Sequence, residues 1–312
     1  MNIIIIDNNY RKGDDRTRIN FIKKLAYFKD IKLHLLRMPL SQIVQEKIYS
    51  LKPDVLFFLM HNSEIRKLWP DFLFNSGVAT VVLEEDHYES KFEGLVYSDK
   101  TILDWYKDKQ ISLLIRRHCY EEKAPVESVW LPFSANEEEF DRRELVNITN
   151  RKHIVGFAGS YTSTQVYYDV RRKAIQILKD AGLLDETYGK IYNGYAEYLK
   201  NHVVGLACTG GILHTPLAKT FEIPLSGSAL LTNKMDHANL LWGENKCYFE
   251  YKDDCSDIVE VAKHALLDHD EVSHNGWMQV FQHHTDYHRI RELYHILKAL
   301  VEGKNIPRKW SQ

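Results

Sequence analysis

Short, predominantly apolar runs recur along this chain, alternating with amphipathic stretches, and the pattern plays twice. In the first half the apolar runs cover residues 3–7, 32–36, 55–60, 79–83 and 126–131. Helical periodicity fills 16–28, 41–51, 64–75 and 101–109 between them. Strands that are apolar on both faces and alternate with helices imply a parallel sheet covered on both sides. Pro70 falls inside the third helical stretch and predicts a kink or break there. Residues 134–151 follow Pro132, carry many Asn, Glu and Arg residues without an apolar period, and read as a linker. The pattern then restarts, with strands predicted at 154–158, 203–208, 229–232 and 247–250. Helices are predicted at 166–181, 216–226 and 256–267, with one long helical end over 272–302. Val166, Val170, Ala174, Ile177, Leu178 and Ala181 share a face of the 166–181 helix, and Gly182 ends it. The expected fold is α/β, two Rossmann-like lobes facing a cleft, with domains at 1–147 and 148–297.

The 312-residue chain is long enough for two such domains, and its formal charge of −2 argues against a protein that holds nucleic acid by electrostatics alone. Its two basic clusters, Arg116-Arg117-His118 and Arg171-Arg172-Lys173, read mainly as solvated faces. The four cysteines show no metal or redox spacing, which fits a reducing cytoplasm. The apolar run at the N-terminus is too short for a signal peptide, and no segment approaches membrane-spanning length, so a soluble cytoplasmic protein is expected. Histidines crowd residues 264–295, and His284 and His288 stand one helical turn apart. The zinc-protease motif is missing, so no metal is expected.

Residues 215–232, TPLAKTFEIPLSGSALLT, carry the most chemistry. Thr215 reads as a helix cap and Pro216 as the first helical residue. Lys219 and Glu222, three apart, fall on one helix face. A cation near a helix N-terminus conflicts with the helix dipole unless an anion joins it. A phosphate would resolve that conflict, and Glu222 one turn on would accept from sugar hydroxyls. The alternative is a solvated Lys–Glu surface pair. Three loops should meet at the carboxyl edge of this second sheet: Gly156–Ser160, Thr209-Gly210-Gly211, and the approach to the 216–226 helix. Arg172 is placed to reach a diphosphate, while Arg171 reads as solvated. In the first half, Glu84-Glu85-Asp86-His87 ends the fourth strand. Glu85, Asp86 and His87 are the candidates for proton transfer there, with His61 on the same edge. No serine elbow, Walker loop or dinucleotide fingerprint is present, which sets aside ATP hydrolysis and hydride transfer.

VGFAGSY, YYDVRRKAIQIL, VVGLACTG, KTFEIPLSGSALLT and HTDYHRIREL, in that order, resemble the CgeB-like glycosyltransferases, which are similar to the group 1 type with GT-B architecture. KPDVLFFL, the Glu85-Asp86-His87 turn and Leu131-Pro132-Phe133 extend the resemblance more loosely. It implies a nucleoside-diphosphate sugar, a UDP-sugar in first place, held by the second domain and an acceptor held by the first. The tail 298–312 would cross back to the first domain. Lys219 would meet the diphosphate and Glu222 the ribose hydroxyls. Gly159, Ser160, Thr209, Gly210 and Gly211 would approach the phosphates, with His214, Thr215 and Thr220 completing the donor side. The resemblance implies no metal and no cofactor beyond the nucleotide-sugar co-substrate, and leans towards retention of configuration. The sequence departs from it in two places. His214 stands where related retaining enzymes carry a glutamate, and Pro224 lies within the helix, predicting a short or bent one. The acceptor stays open: a glycan, a protein, or a modified nucleic-acid base, with Arg16, Arg18, Lys23 and Lys24 as phosphate contacts in the last case. A nucleotide-sugar epimerase and a non-catalytic nucleotide-sugar binding protein are the alternatives. The oligomeric state is not readable.

Overall fold

A computed structural model describes residues 1–7, 21–37, 42–60, 69–84, 100–119, 124, 126–141, 151–159, 161, 168–185, 194–209 and 214–310. Its strands are β1 (Asn2–Asp7), β2 (Lys32–Arg37), β3 (Val55–Met60), β4 (Ala79–Glu84), β5 (Leu113–Arg116), β6 (Ser128–Trp130), β7 (Lys152–Gly156), β8 (His202–Leu206), β9 (Ala229–Asn233) and β10 (Tyr248–Tyr251). The helices labelled here are α1 (Gln42–Ser50), α2 (Lys100–Asp108), α3 (Glu137–Phe140), α4 (Asp169–Asp180), α5 (Tyr195–Lys200), α6 (Ala218–Leu225), α7 (Ala238–Trp242), α8 (Ile258–Leu267), α9 (His269–His283) and α10 (Asp286–Val301). The chain divides into two compact units, one made of Met1–Pro132 with Arg289–Gln312 and the other of Phe133–His288.

The first unit holds a six-stranded sheet in the order β2-β1-β3-β4-β5-β6, parallel throughout. Strand periodicity explains its double core. Ile3, Ile5, Phe57 and Val81 pack with Ile290, Leu293 and Leu297 of α10, while Ile4, Ile6, Phe58 and Val82 pack with Ile48, Trp69, Leu73 and Tyr106 on the other face. Each such side chain, once fully buried, contributes roughly 1.5–3 kcal/mol. Strand β5 is absent from the sequence reading, and so is the meaning of the charges that end it. Arg116, Arg117 and His118 are buried, not solvated. Register sets Arg116 opposite Glu84, with Nε 3.7 Å from the carboxylate, and Tyr106 donates to the other Glu84 oxygen at 2.8 Å. Lys24 is likewise buried, so it does not belong to an open basic face; Arg16 and Arg18 lie outside the described residues. Pro70 precedes a single 3-10 turn, Asp71–Leu73, in place of the second half of the helix predicted over 64–75.

The second unit holds a parallel sheet in the order β10-β9-β8-β7, with Leu184 bridging in parallel to Val155 of β7. Helices α4 and α8 cover one face through Val170, Ala174, Leu178, Ile258 and Ala262. On α6, Ile223 comes so close to Gly205 of β8 that a Cβ there would lie 2.7 Å from Ile223 Cγ2; only glycine admits this approach. The region read as a linker is packed at its start. Ser134 donates to Asp286 at 2.7 Å, Asn136 caps α3, and Phe140 is buried. The single long helix predicted over 272–302 is interrupted at His284 and Thr285. Ala135 donates to His284 O at 3.1 Å, and Asp286 donates to Ala135 O at 2.9 Å, so this backbone pairs as a strand.

Candidate functional site

All four strands of the second sheet run the same way, so their carboxyl ends share one edge. The chain leaving β7 reaches Gly159 at φ +153°, a conformation that side chains strongly disfavour. A Cβ on Gly159 would stand 3.0 Å from Lys219 Cε and 3.4 Å from its Nζ. The backbone of the first loop and the ammonium at the start of α6 are therefore neighbours.

Helix α6 opens at Ala218 with Leu217 as N-cap, whose apolar side chain makes no capping hydrogen bond. This corrects the expectation for Thr215 and Pro216. Thr215 is buried ahead of the helix and is not its cap. The Thr220 hydroxyl, also fully buried, donates to Leu217 O at 2.6 Å, so it serves the helix's own first turn. Helix α6 is eight residues long with Pro224 inside it, and it ends before Gly227, at φ +81°, whose N–H donates to Pro224 O at 2.8 Å. Lys219 thus sits in the first turn, where the helix dipole repels it. Among the described residues it has no hydrogen bond and no ion pair; its ammonium lies 5.1 Å from the centre of the Tyr195 ring. Enclosure by protein pushes its pKa below the ordinary lysine range, with Glu222 opposing and Arg171 adding to the shift.

Glu222 is one turn further on and partly exposed. It accepts from the Tyr195 hydroxyl at 2.9 Å. Burial raises its pKa; Lys219 and the Tyr195 hydrogen bond oppose the rise, and the charges of Glu139 and Asp286 add to it. Tyr195, at the start of α5, is held by the Phe140 ring edge-on at 5.6 Å. Its own pKa stands well above the phenol range, chiefly through burial, so it remains a donor to the carboxylate.

The guanidinium beside this cluster is Arg171, not Arg172. Arg171 donates to Cys208 O at 3.4 Å, and its charge is felt at Lys219. Arg172 pairs with Asp169 one turn back on α4. One step along a helix turns a side chain by about 100°, and apolar periodicity alone leaves the choice between neighbours open.

The loops after β8, β9 and β10 are laced together by groups the sequence did not reveal. The Thr209 backbone N–H donates to Asn233 Oδ1 at 2.9 Å and its hydroxyl to Lys234 O at 2.7 Å. Asn233 donates to Asp253 at 2.8 Å, and His214 Nε2 lies 2.9 Å from the other Asp253 oxygen. His214, the residue at which the sequence departs from the family resemblance, is therefore held in place by Asp253. Ser160, Gly210, Gly211, Glu85, Asp86, His87 and His61 lie outside the described residues. His284 and His288 do not converge on a common point: His284 Nε2 bonds Leu241 O at 2.6 Å, and His288 Nδ1 bonds the Thr285 hydroxyl at 2.9 Å. Among the described residues no group of three or more His, Cys, Asp and Glu is placed to hold a metal ion, and no helix is long and apolar enough to cross a membrane.

No family model matches this chain, and no curated protein does. Solved structures do match. A glycosyltransferase from Rickettsia africae ESF-5 superposes at a TM-score of 0.68 with 9% identity, over 97% of this chain and 99% of that one. Sucrose-phosphate synthase from Thermosynechococcus elongatus gives 0.65 and 10%, over 97% and 100%. HepE from Anabaena, in complex with UDP-glucose, gives 0.64 and 10%, over 96% and 100%. At such low identity the likeness shows the fold: an α/β architecture with parallel sheets, that of GT-B glycosyltransferases.

Proposed function

We propose that this chain transfers a sugar from a nucleoside-diphosphate sugar, a UDP-sugar in first place, to an acceptor hydroxyl. The observation that carries the reading is Lys219: a partly buried ammonium with no carboxylate partner among the described residues, in the first turn of a helix, against the backbone of Gly159. A diphosphate supplies the missing anion. As the bond to the sugar breaks, negative charge grows on that diphosphate, and a cation already in place stabilises it without reorganisation. Arg171 adds long-range positive charge. Glu222, with one oxygen taken by Tyr195, keeps the other for a ribose hydroxyl. HepE, whose fold this chain shares, holds UDP-glucose, which supports the donor class.

The reading takes the transfer as retaining and independent of metal, as the resemblance implies, with the acceptor met by the first unit through Glu85, Asp86 and His87. A thermal-shift series with UDP, UDP-glucose and other nucleoside diphosphates tests it first. A ligand at a hundred times its Kd stabilises the fold by about 2.7 kcal/mol, and a flat response to every nucleotide would overturn the reading. Nuclear magnetic resonance of the product's anomeric proton then decides retention, and turnover after chelation decides metal independence. A second reading, a nucleotide-sugar binding protein without transfer, rests on His214, whose Nε2 is held by Asp253 where the resemblance implies a glutamate. Donor binding with neither transfer nor hydrolysis would favour it.

A further inference from the structure

Lys219 and Glu222 have the spacing at which a lysine and a glutamate on one helix pair with each other, yet no ion pair joins them. Each is instead turned to the same third residue. The Tyr195 hydroxyl donates to Glu222 Oε2 at 2.9 Å, and the Tyr195 ring lies 5.1 Å from Lys219 Nζ. We propose that Tyr195 is a positioning residue that keeps the Lys219 ammonium and the Glu222 carboxylate apart, so that both stay open to a ligand.

The chemistry of the two contacts supports this role. A π face attracts an ammonium without accepting a strong hydrogen bond, so all three Lys219 N–H donors remain for an anion. A phenol hydroxyl satisfies one carboxylate oxygen without neutralising its charge, which leaves Oε1 to accept from a hydroxyl. Phe140, edge-on at 5.6 Å, fixes the ring that makes both contacts. With Tyr195 removed, the two charged side chains would close on each other, and a ligand would have to break that pair before binding. The inference rests on the donor reading above and adds the residue that keeps the site open.

The test uses the full chain, inorganic pyrophosphate and UDP as probes, and isothermal titration. Tyr195→Phe keeps the ring and loses the hydroxyl, which frees the carboxylate to swing to Lys219. Pyrophosphate should bind about fivefold more weakly, the size of a competing ion pair of about 1 kcal/mol. Tyr195→Phe combined with Glu222→Gln removes the competing charge, so pyrophosphate affinity should return to at least the wild-type value while UDP binding stays weak. A generally loosened fold would not give that rescue. Equal pyrophosphate affinity for wild type and Tyr195→Phe, or no recovery in the double variant, overturns the role of Tyr195 and leaves the donor reading standing. Failure of the wild-type protein to bind either probe overturns both.

Discussion

The two ends of the second sheet are built from the same four strands and treat charge in opposite ways. At the amino edge, Arg151 donates to Gly227 O and Ser228 Oγ at 2.6 and 2.7 Å and also to His202 O. There, Asp185 accepts from His202 at 2.8 Å and Lys152 at 2.7 Å. These contacts stitch β7, β8 and β9 together at their starts, and the charges serve the fold. At the carboxyl edge, Lys219 has no ion pair among the described residues, the N-cap Leu217 of α6 offers no side-chain acceptor, and Glu222 does not pair with Lys219 on the same helix. Charges drawn out of water are normally paired. An edge that leaves a partly buried one unpaired gives up some stability and, on the proposed reading, gains a place for an external anion, which would separate a binding edge from a structural one.

The largest effect that can break this contrast is on turnover. Lys219→Ala should lower kcat/KM with the donor by about 100-fold, the scale of removing one preorganised charge-stabilising group, while the melting temperature holds or rises. Arg151→Ala should do the reverse: a loss of about 3 kcal/mol in denaturant unfolding, from stranded buried acceptors, with an unchanged donor Kd. If both variants lose stability alike, the two edges do not differ as argued. Gly159→Ala comes next. Its Cβ would push against Lys219 Cε and add backbone strain of roughly 1–3 kcal/mol, so UDP affinity should fall about tenfold by titration.

The pH dependence sharpens the same contrast. Because enclosure lowers the Lys219 pKa, the folded protein loses this proton at a lower pH than the unfolded chain does. Through that window, below the ordinary lysine range, the ligand-free fold gains stability as pH rises, while pyrophosphate affinity declines. Parallel thermal-shift and titration series should therefore run in opposite directions. Smallest of all, His214→Ala should free one Asp253 oxygen, the other staying on Asn233, and change the ratio of UDP-glucose to UDP affinity by only about a few-fold, since the proposed diphosphate contacts remain.

What could be read in advance follows from distance along the chain. The apolar strands other than β5, and the shared helix face of Lys219 and Glu222, are local patterns and were legible. Tyr195 lies 27 residues before Glu222, beyond an intervening strand, and no periodicity links the two. Asn233 and Asp253 meet only because β9 and β10 lie side by side, a matter of sheet order. The buried Arg116 was misread for the same reason: its partner Glu84 is an in-register neighbour on another strand, so a basic cluster looked solvated when taken alone. Arg171 and Arg172 differ by one helical step, and only the packed helix decides which one turns towards Cys208.

A crystal structure of the protein with UDP tests the central claim most directly. The account predicts the diphosphate within hydrogen-bond reach of Lys219 Nζ and the Gly159 backbone, with a ribose hydroxyl on Glu222. Nucleotide bound elsewhere, or Lys219 closed onto Glu222 in a direct ion pair, would contradict it.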